Sequence, residues 1–353
     1  MQEDEERSVN HESNITQSIK QKMGANLHLR DNHPVGIVKK FLLSALEGFT
    51  VFESIDPVVT VQNNFDSLRI PQDHPSRRRS DTYYVDNSHV LRTHTSAHQV
   101  ELMRAGHRKF VVIGDVYRND DIDPAHYPVF HQMEGVCVLD PSSDPSDPEK
   151  ELKETLSRLL DSVFPSACWR LKPDYFPFTE PSWEAEVEWD GEWLEVLGCG
   201  VVHPEVLENA GIRDKTGWAF GIGLDRIAMK TCSIPDIRLL WTKDEGFSNQ
   251  YEDGKLNKFI PFSKHPGCYK DISMWVNQSF QPRDLLGLVR EIGGPMVERV
   301  DRIDEFDHPK HGKSMTYRIM YRSWERTLSN EEVDVVQEEI RRCVKDKLSV
   351  ELR

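Results

Sequence analysis

The sequence predicts an α+β fold: antiparallel strand pairs mixed with amphipathic helices over most of the chain, then a C-terminal β-α-β-β-α-β module. Three observations carry this. Residues Ser182 to Trp189 alternate, with Glu184, Glu186 and Glu188 on one face and Ala185, Val187 and Trp189 on the other. Asp190-Gly191 and a second run, Trp193 to Val201, follow; Asp-Gly between two such runs signals a hairpin. Lys109 to Arg118 and Pro128 to Leu139 are strand-like runs on either side of a polar loop. The last 95 residues read strand, helix, strand, strand, helix, strand, a ferredoxin-like split βαβ.

The elements follow in order. Residues 1–26 are a polar extension with a marginal helix. A helix starts at Asn32-His33-Pro34, with Asn32 or Asp31 as its cap and Pro34 in its first turn, and runs through Val38, Phe41, Leu42 and Ala45 to Gly48. Residues 56–61 read as a strand, 65–80 as a long loop, and Ser96 to Ala105 as a helix. The Pro, Ser and Asp of residues 141–148 mark a linker or surface loop. An amphipathic helix follows from Glu149 to Val163. The polar, glycine-containing stretch 244–258 is taken as a linker between a domain at 27–243 and one at 259–353. In the second domain the strand region Pro261 to Val276 leads to a helix, Arg283 to Ile292, that ends at Gly293-Gly294. The strands Val297 to Phe306 and Met315 to Ser323 flank a turn at His308 to Lys313. Ser329 and Glu332 form a capping box for a helix to about Lys347, and Val350 to Arg353 is the last strand.

Composition excludes several classes. Of 353 residues, 38% are hydrophobic and 29% charged, an ordinary soluble balance and not a disordered one. No run of about 18 apolar residues exists, so no membrane-spanning helix and no membrane partner is expected. Six scattered cysteines form no CxxC pair, which argues against a zinc ribbon and for a reducing compartment. Net charge is −15, yet residues 259–353 hold 16 basic and 16 acidic side chains, so the deficit lies in residues 1–258. The C-terminal part is therefore free to meet a polyanion through local patches. Met1 to Glu6 is acidic and lacks an apolar core, unlike a secretory signal or a transit peptide. The chain is expected to be cytosolic or trimmed of a leader.

Four constellations carry chemistry. The first is Gly114 to Asp120 followed by Phe130 to Gly135. Arg118 closes one strand, and Gln132 and Glu134 share a face of the next. A guanidinium grips phosphate bidentately, and Glu134 is placed to hold an ammonium. The competing reading, a surface Arg with a buried, paired Glu, has about equal weight on pattern alone. The second is Trp218-Ala219-Phe220-Gly221-Ile222-Gly223 with Arg226 in the helix behind it. Glycines allow close backbone approach, and a helix start attracts anions. A lone Gly-x-Gly is more often tight packing. The third is Tyr175-Phe176-Pro177-Phe178, two phenyl rings pointing the same way, fit for an aromatic ligand or for core. The fourth is Arg92 to Gln99, a strand-to-helix junction rich in hydroxyls and imidazoles. His94 and His98 lack the Glu of a zinc protease motif, so polar ligand contact or capping outweighs metal binding there.

Taken in order, these pieces resemble the three signature motifs of class II aminoacyl-tRNA synthetases. Gly48-Phe49 with Pro57-Val-Val precedes the Arg-x-Asp of Arg118-Asn119-Asp120, and the Gly-x-Gly-x-x-Arg of Gly221 to Arg226 comes last. More specific strings are similar to phenylalanyl-tRNA synthetase: Thr93 to His98, His126 to Glu134, Tyr175 to Phe178, Trp193 to Gly200 and Ile234 to Arg238. The single-chain organellar form is the nearest match, because the β-α-β-β-α-β module follows directly. The resemblance spans residues 27–353.

The resemblance implies a class II catalytic domain, an antiparallel sheet flanked by helices, that makes phenylalanyl-adenylate from ATP and phenylalanine and passes the acyl group to tRNA(Phe), with Mg²⁺ assisting. Preorganised cations lower the barrier to attack on the α-phosphate. It implies that Arg118 meets the α-phosphate and Arg226 the γ-phosphate, as the catalytic pair. His126, Tyr127, Asp120, Phe220, Gly221 and Gly223 would border ATP. Glu195, sharing a strand face with Leu197, would contact Mg²⁺ or ATP. Phenylalanine would meet Phe176, Phe178, Ala219, Gln132, Met133 and Glu134, with His94, Ser96, Ala97, His98 and Gln99 near its amino and carboxylate end. Tyr317, Arg318, Tyr321 and Arg322 would contact the anticodon region of tRNA(Phe), whose acceptor end reaches the catalytic domain. An apolar pocket rejects one hydroxyl weakly, and no segment is spare for editing, so tyrosine misacylation is expected. A monomer in the mitochondrial matrix is expected, with the plastid or both organelles as alternatives. A catalytically inactive RNA-binding relative is the competing reading; loss of Arg118, Glu134 or Arg226 would favour it, and all three are present.

Overall fold

Long strands with an apolar face bury it by sharing a sheet, and here they recruit shorter or more polar neighbours into one of seven strands. The computed structural model describes residues 13–140, 147–261, 267–309, 312–324 and 326–353. In chain order β1 (Thr50–Phe52) is followed by a separate antiparallel pair, β2 (Val58–Thr60) and β3 (His89–Leu91). Then come β4 (Lys109–Tyr117), β5 (Val129–Leu139), β6 (Trp169–Phe176), β7 (Thr179–Trp189), β8 (Glu192–Val202) and β9 (Thr216–Gly223). The sheet order is β1-β4-β5-β9-β8-β7-β6, antiparallel throughout except for β1 beside β4. In the β7–β8 turn Asp190 and Gly191 both take positive φ (49° and 83°), as a tight two-residue hairpin requires.

One sheet face is core. Ile113, Met133, Ala185, Leu197, Trp218, Phe220 and Ile222 pack there with three helices: α1 (Pro34–Ser44), α2 (Pro148–Val163) and α3 (Leu224–Thr231). The cap of α1 is His33, not Asn32 or Asp31; its Nδ1 accepts the Val35 N–H at 3.3 Å. Asp147 caps α2 through the Glu149 N–H. Residues 141–146 of the expected linker lie outside the described residues, as do residues 1–12.

From residue 13 on, the polar extension is folded onto the body. Thr16 caps a short helix, Gln17–Lys20, whose Ile19 is wholly buried among Tyr83, Leu91, Tyr117 and Val129. The stretch read as a linker also packs: its Phe247 and Tyr251, with Phe259 just after it, belong to the core behind the large sheet. Aromatic residues spaced four and eight apart outweigh the polar composition between them.

The C-terminal module comprises β10 (Cys268–Val276), α4 (Pro282–Gly293), β11 (Val297–His308), β12 (Gly312–Tyr321), α5 (Asn330–Leu348) and β13 (Glu351–Leu352). Its sheet order is β11-β12-β10-β13, and Ser329 and Glu332 form the capping box of α5. Ile272, Met274, Tyr317, Ile319 and Tyr321 pack with Leu285 and Val289 of α4 and with Val333, Ile340 and Val344 of α5. The other face of this sheet is open.

Candidate active site

Glycines floor the uncovered half of the large sheet. Registers Gly114↔Gln132↔Gly223 and Glu134↔Gly221↔Gly198 place these residues on the face opposite the core helices. A Cβ added at Gly221 or Gly223 would meet nothing within 4 Å, and neither residue has a positive φ. These glycines serve neither tight packing nor backbone strain; they leave room. A cleft of about 700 Å³ lies over them.

One end of the cleft suits an aromatic cation. The rings of Phe176 and Phe178 stack 5.9 Å apart at 17°. The Phe176 ring occupies the space that a side chain at Gly198 would need. Ala219 and Gln132 line the same end. Glu134 is 2% exposed; its Oε1 accepts the Gln99 amide and its Oε2 has no partner. Burial pushes the Glu134 carboxyl up to about 7, only partly offset by the Gln99 amide and by the neighbouring Ser96 and Thr95. His94 lies 6.4 Å from Phe178, has both ring nitrogens unpartnered, and is pushed down to about 3 by burial, so it is neutral near pH 7. An unsatisfied buried carboxylate beside an apolar slot is costly unless a ligand cation completes it.

The other end suits an anion. Arg118 donates its Nε to the Thr93 carbonyl at 2.8 Å and lies over the Phe130 ring at 5.1 Å. Its Nη groups have no protein partner among the described residues. Burial lowers the Arg118 pKa, yet a guanidinium stays charged. Thr93 is fixed in turn by the wholly buried Asn64, which accepts its N–H at 3.1 Å and donates to its Oγ1 at 3.0 Å. Arg226, in the first turn of α3, lies 4.0 Å from Glu195. Asp120, His126 and Tyr127 line the same cleft. Asp120 sits 3.5 Å from Arg283, and His126 is raised above its ordinary pKa chiefly by its hydrogen bond to Asp123 at 2.7 Å.

Several of the expected residues are placed differently from the sequence reading. Glu195 does not share a face with Leu197. The register jumps from Ala185↔Leu197 to Glu186↔Glu195, so Val196 is a bulge that turns Glu195 into the cleft. Met133 is on the core face and outside the cleft lining, and Phe220 borders the cleft with its ring turned into the core, stacked on Trp218 and filling the space beside Gly135. Ala97 and His98 stand behind the wall; His98 Nε2 is 3.0 Å from Arg92 Nη1. Gln99 acts on Glu134 from behind. Ser96 lines the cleft. Tyr317 and Tyr321 are under the module's helices, with the Tyr321 hydroxyl donating to Gln337 at 2.7 Å. Arg322 pairs with Glu298 and gives its carbonyl to Arg238. Arg318 alone of that quartet stands on the open sheet face, paired with Asp271 and 4.1 Å from the Tyr269 ring.

Sequence reasoning gave no role to three partners, although Arg92 and Glu184 lie in runs that it singled out. Arg92, 2% exposed, donates to the Asp115 carbonyl at 2.7 Å and to its Oδ1 at 2.9 Å, and its guanidinium fills the place of a Gly114 side chain. Asn64 is the second. Glu184, beside Glu195 and raised by burial and by that neighbour's charge, is the third. No spacing rule marks Asn64 or Arg92; the alternation that placed Glu184 on a face was its only signal.

The comparisons agree with this geometry. Residues 12–251 match the family model described as tRNA synthetases class II core domain (F), and residues 263–353 match the ferredoxin-fold anticodon binding domain. The chain is 47% identical over 355 residues to the chloroplastic/mitochondrial phenylalanine-tRNA ligase of Arabidopsis thaliana, covering 97% of this chain and 83% of that one. It is 42% identical to the mitochondrial phenylalanine-tRNA ligase of Mus musculus, covering 97% and 86%. It is 38% identical to the mitochondrial one of Saccharomyces cerevisiae, covering 97% and 92%.

Proposed function

The chain belongs to the class II aminoacyl-tRNA synthetases, and we propose that it is a phenylalanine-tRNA ligase of the single-chain organellar kind. One observation carries the reading. A single cleft joins a slot of two stacked phenyl rings and an unsatisfied buried carboxylate to a pair of guanidiniums over a bare glycine floor.

Phenylalanine enters with its ring against Phe176 and Phe178 and over Ala219. Its ammonium completes Glu134, which ionises as the cation arrives, and Gln132 shares the hold. The substrate carboxylate then attacks the α-phosphorus of ATP. A P–O bond forms to the acyl oxygen, and the bond to pyrophosphate breaks. Arg118 balances charge on the α-phosphate oxygens and Arg226 on the γ-phosphate. In the second step a terminal ribose hydroxyl of tRNA attacks the acyl carbon and AMP leaves. Glu195 and Glu184, two carboxylates lining the cleft, fit Mg²⁺, which takes one or two carboxylates and completes its shell with water and phosphate oxygens. When bound there, Mg²⁺ would offset phosphate charge.

The tRNA surface we assign is the open face of the module's sheet. Tyr269 and Phe306 are exposed there. Trp275 meets Phe306 edge-on, Arg353 lies over both rings, and Arg318 lies over Tyr269. Rings with interleaved guanidiniums suit unstacked bases and their phosphates. The relatives' mitochondrial and plastid names support work in an organelle matrix, and one chain carrying both domains supports a monomer. Light scattering should then give about the 40.9 kDa of one chain. Charging of organellar tRNA(Phe) with labelled phenylalanine tests the function. Acid-precipitable, alkali-labile phenylalanyl-tRNA is expected; none formed with any tRNA would refute it.

A further inference from the structure

The loop after Arg118 forms one wall of the cleft through Asp120, Ala125, His126 and Tyr127. The C-terminal module holds that loop. Ile122, 9% exposed, belongs to the module's hydrophobic core, and its carbonyl accepts the Val300 N–H of β11 at 2.9 Å. Arg290, on α4 and also 9% exposed, donates to Asn119 Oδ1, to the Asp120 carbonyl and, at 3.3 Å, to the Asp121 carbonyl. It pairs with no carboxylate among the described residues. Arg283, from the same helix, donates to the Asn119 carbonyl at 2.6 Å and itself lines the cleft. A guanidinium this buried loses its solvation when it enters, so losing the loop's oxygens would leave it buried and unpaired. The loop and the module are therefore held as one unit.

We infer that Arg290 and Ile122 are positioning residues for ATP, acting through the loop from Asn119 to Asp123. This rests on the ligase reading above. The anchors do not reach the cleft. They fix the wall that carries Asp120, His126 and Tyr127, so nucleotide affinity depends on the module's grip. Binding linkage is reciprocal, and ATP in turn favours the gripped arrangement.

The test is pyrophosphate exchange by the full chain without tRNA, varying ATP at saturating phenylalanine. In Arg290→Ala and Ile122→Ala the KM for ATP should rise about three- to tenfold, with the KM for phenylalanine and kcat within about twofold. The double variant should be little worse than the worse single one, because both remove the same anchor. Glu291→Gln, on the same helix but bonded to the Ser18 N–H at 3.3 Å, should leave the KM for ATP unchanged. Arg290→Lys keeps the charge and cannot bridge three oxygens, so it should reproduce the ATP effect in a stable fold even if Arg290→Ala unfolds. Unchanged KM for ATP overturns the inference. So do ATP and phenylalanine constants that rise together, which mark general distortion. A wild-type chain silent with every amino acid overturns the ligase reading itself; an active wild type with unaltered variants overturns only the positioning role.

Discussion

Asp225 accepts the backbone N–H of His131 at 2.6 Å and lies 3.1 Å from its Nδ1, and both residues are buried. The pair ties the start of α3 to β5. Asp225 precedes Arg226 and His131 precedes Gln132, so one buried bond fixes the phosphate end and the amino-acid end of the cleft relative to each other. Asp225→Ala should leave a buried N–H unpaired, cost about 1–3 kcal/mol of stability and lower kcat for exchange about tenfold. Asp225→Asn keeps an acceptor and should do less on both counts. Thermal unfolding alongside exchange kinetics checks this; equal behaviour of the two variants would contradict it.

Glu134 sets a pH dependence. In the free enzyme its carboxyl titrates at about 7, so below that it is protonated and offers the substrate ammonium no charge. The kcat/KM for phenylalanine should rise about tenfold per pH unit below about pH 7 and flatten above it. Glu134→Gln should remove the step. The folding sign is opposite. A carboxyl raised by burial favours the protonated fold, so its contribution to stability falls as pH rises from the ordinary carboxylate range through about 7.

Gly221 separates a ligand's need from the fold's need. Its Cβ would touch no protein atom within 4 Å and would project over the cleft floor. Gly221→Ala should leave the melting temperature within about 2 °C while raising the KM for ATP at least severalfold. A large drop in melting temperature would mean the glycine serves packing.

Ala219 bounds the ring slot and is 3% exposed. Ala219→Gly removes one methyl and should admit para-substituted phenylalanines that the wild type activates poorly, by about 10- to 200-fold in kcat/KM. Exchange assays with para-halogenated analogues check it, and an unchanged ranking would place the slot's floor elsewhere.

The module's two faces should respond differently. Tyr321→Phe loses the hydrogen bond to buried Gln337 and should destabilise by about 1 kcal/mol without changing tRNA affinity. Tyr269→Ala removes an exposed ring and should weaken tRNA binding by about 1–3 kcal/mol without unfolding. The reverse pattern in filter binding and calorimetry would show that the faces are misassigned.

Much of the frame was legible in the residues. Asp190-Gly191 marks its hairpin because only residues tolerant of positive φ fit the turn. Gln132 and Glu134 share a face because a strand repeats every two residues, and the capping box at Ser329 and Glu332 is local chemistry. What stayed hidden needed neighbours. Period two fails at Val196, where one extra residue turns Glu195 over. Alternation in β12 separates Tyr317 and Tyr321 from Arg318 correctly, but only the helices decide which face is covered. Both β1, three residues long, and the polar edge strand β6 owe their existence to their sheet partners. His33 displaced the better capping residues beside it because its ring also bonds the Leu240 carbonyl at 2.8 Å.

The most direct measurement is amino-acid-dependent ATP-pyrophosphate exchange with each of the twenty amino acids, without tRNA, in the wild type and in Arg118→Ala. Exchange confined to phenylalanine with a trace for tyrosine, and abolished in Arg118→Ala, is the predicted result. No exchange with any amino acid, or exchange that survives loss of Arg118, would contradict the joined cleft on which the account rests.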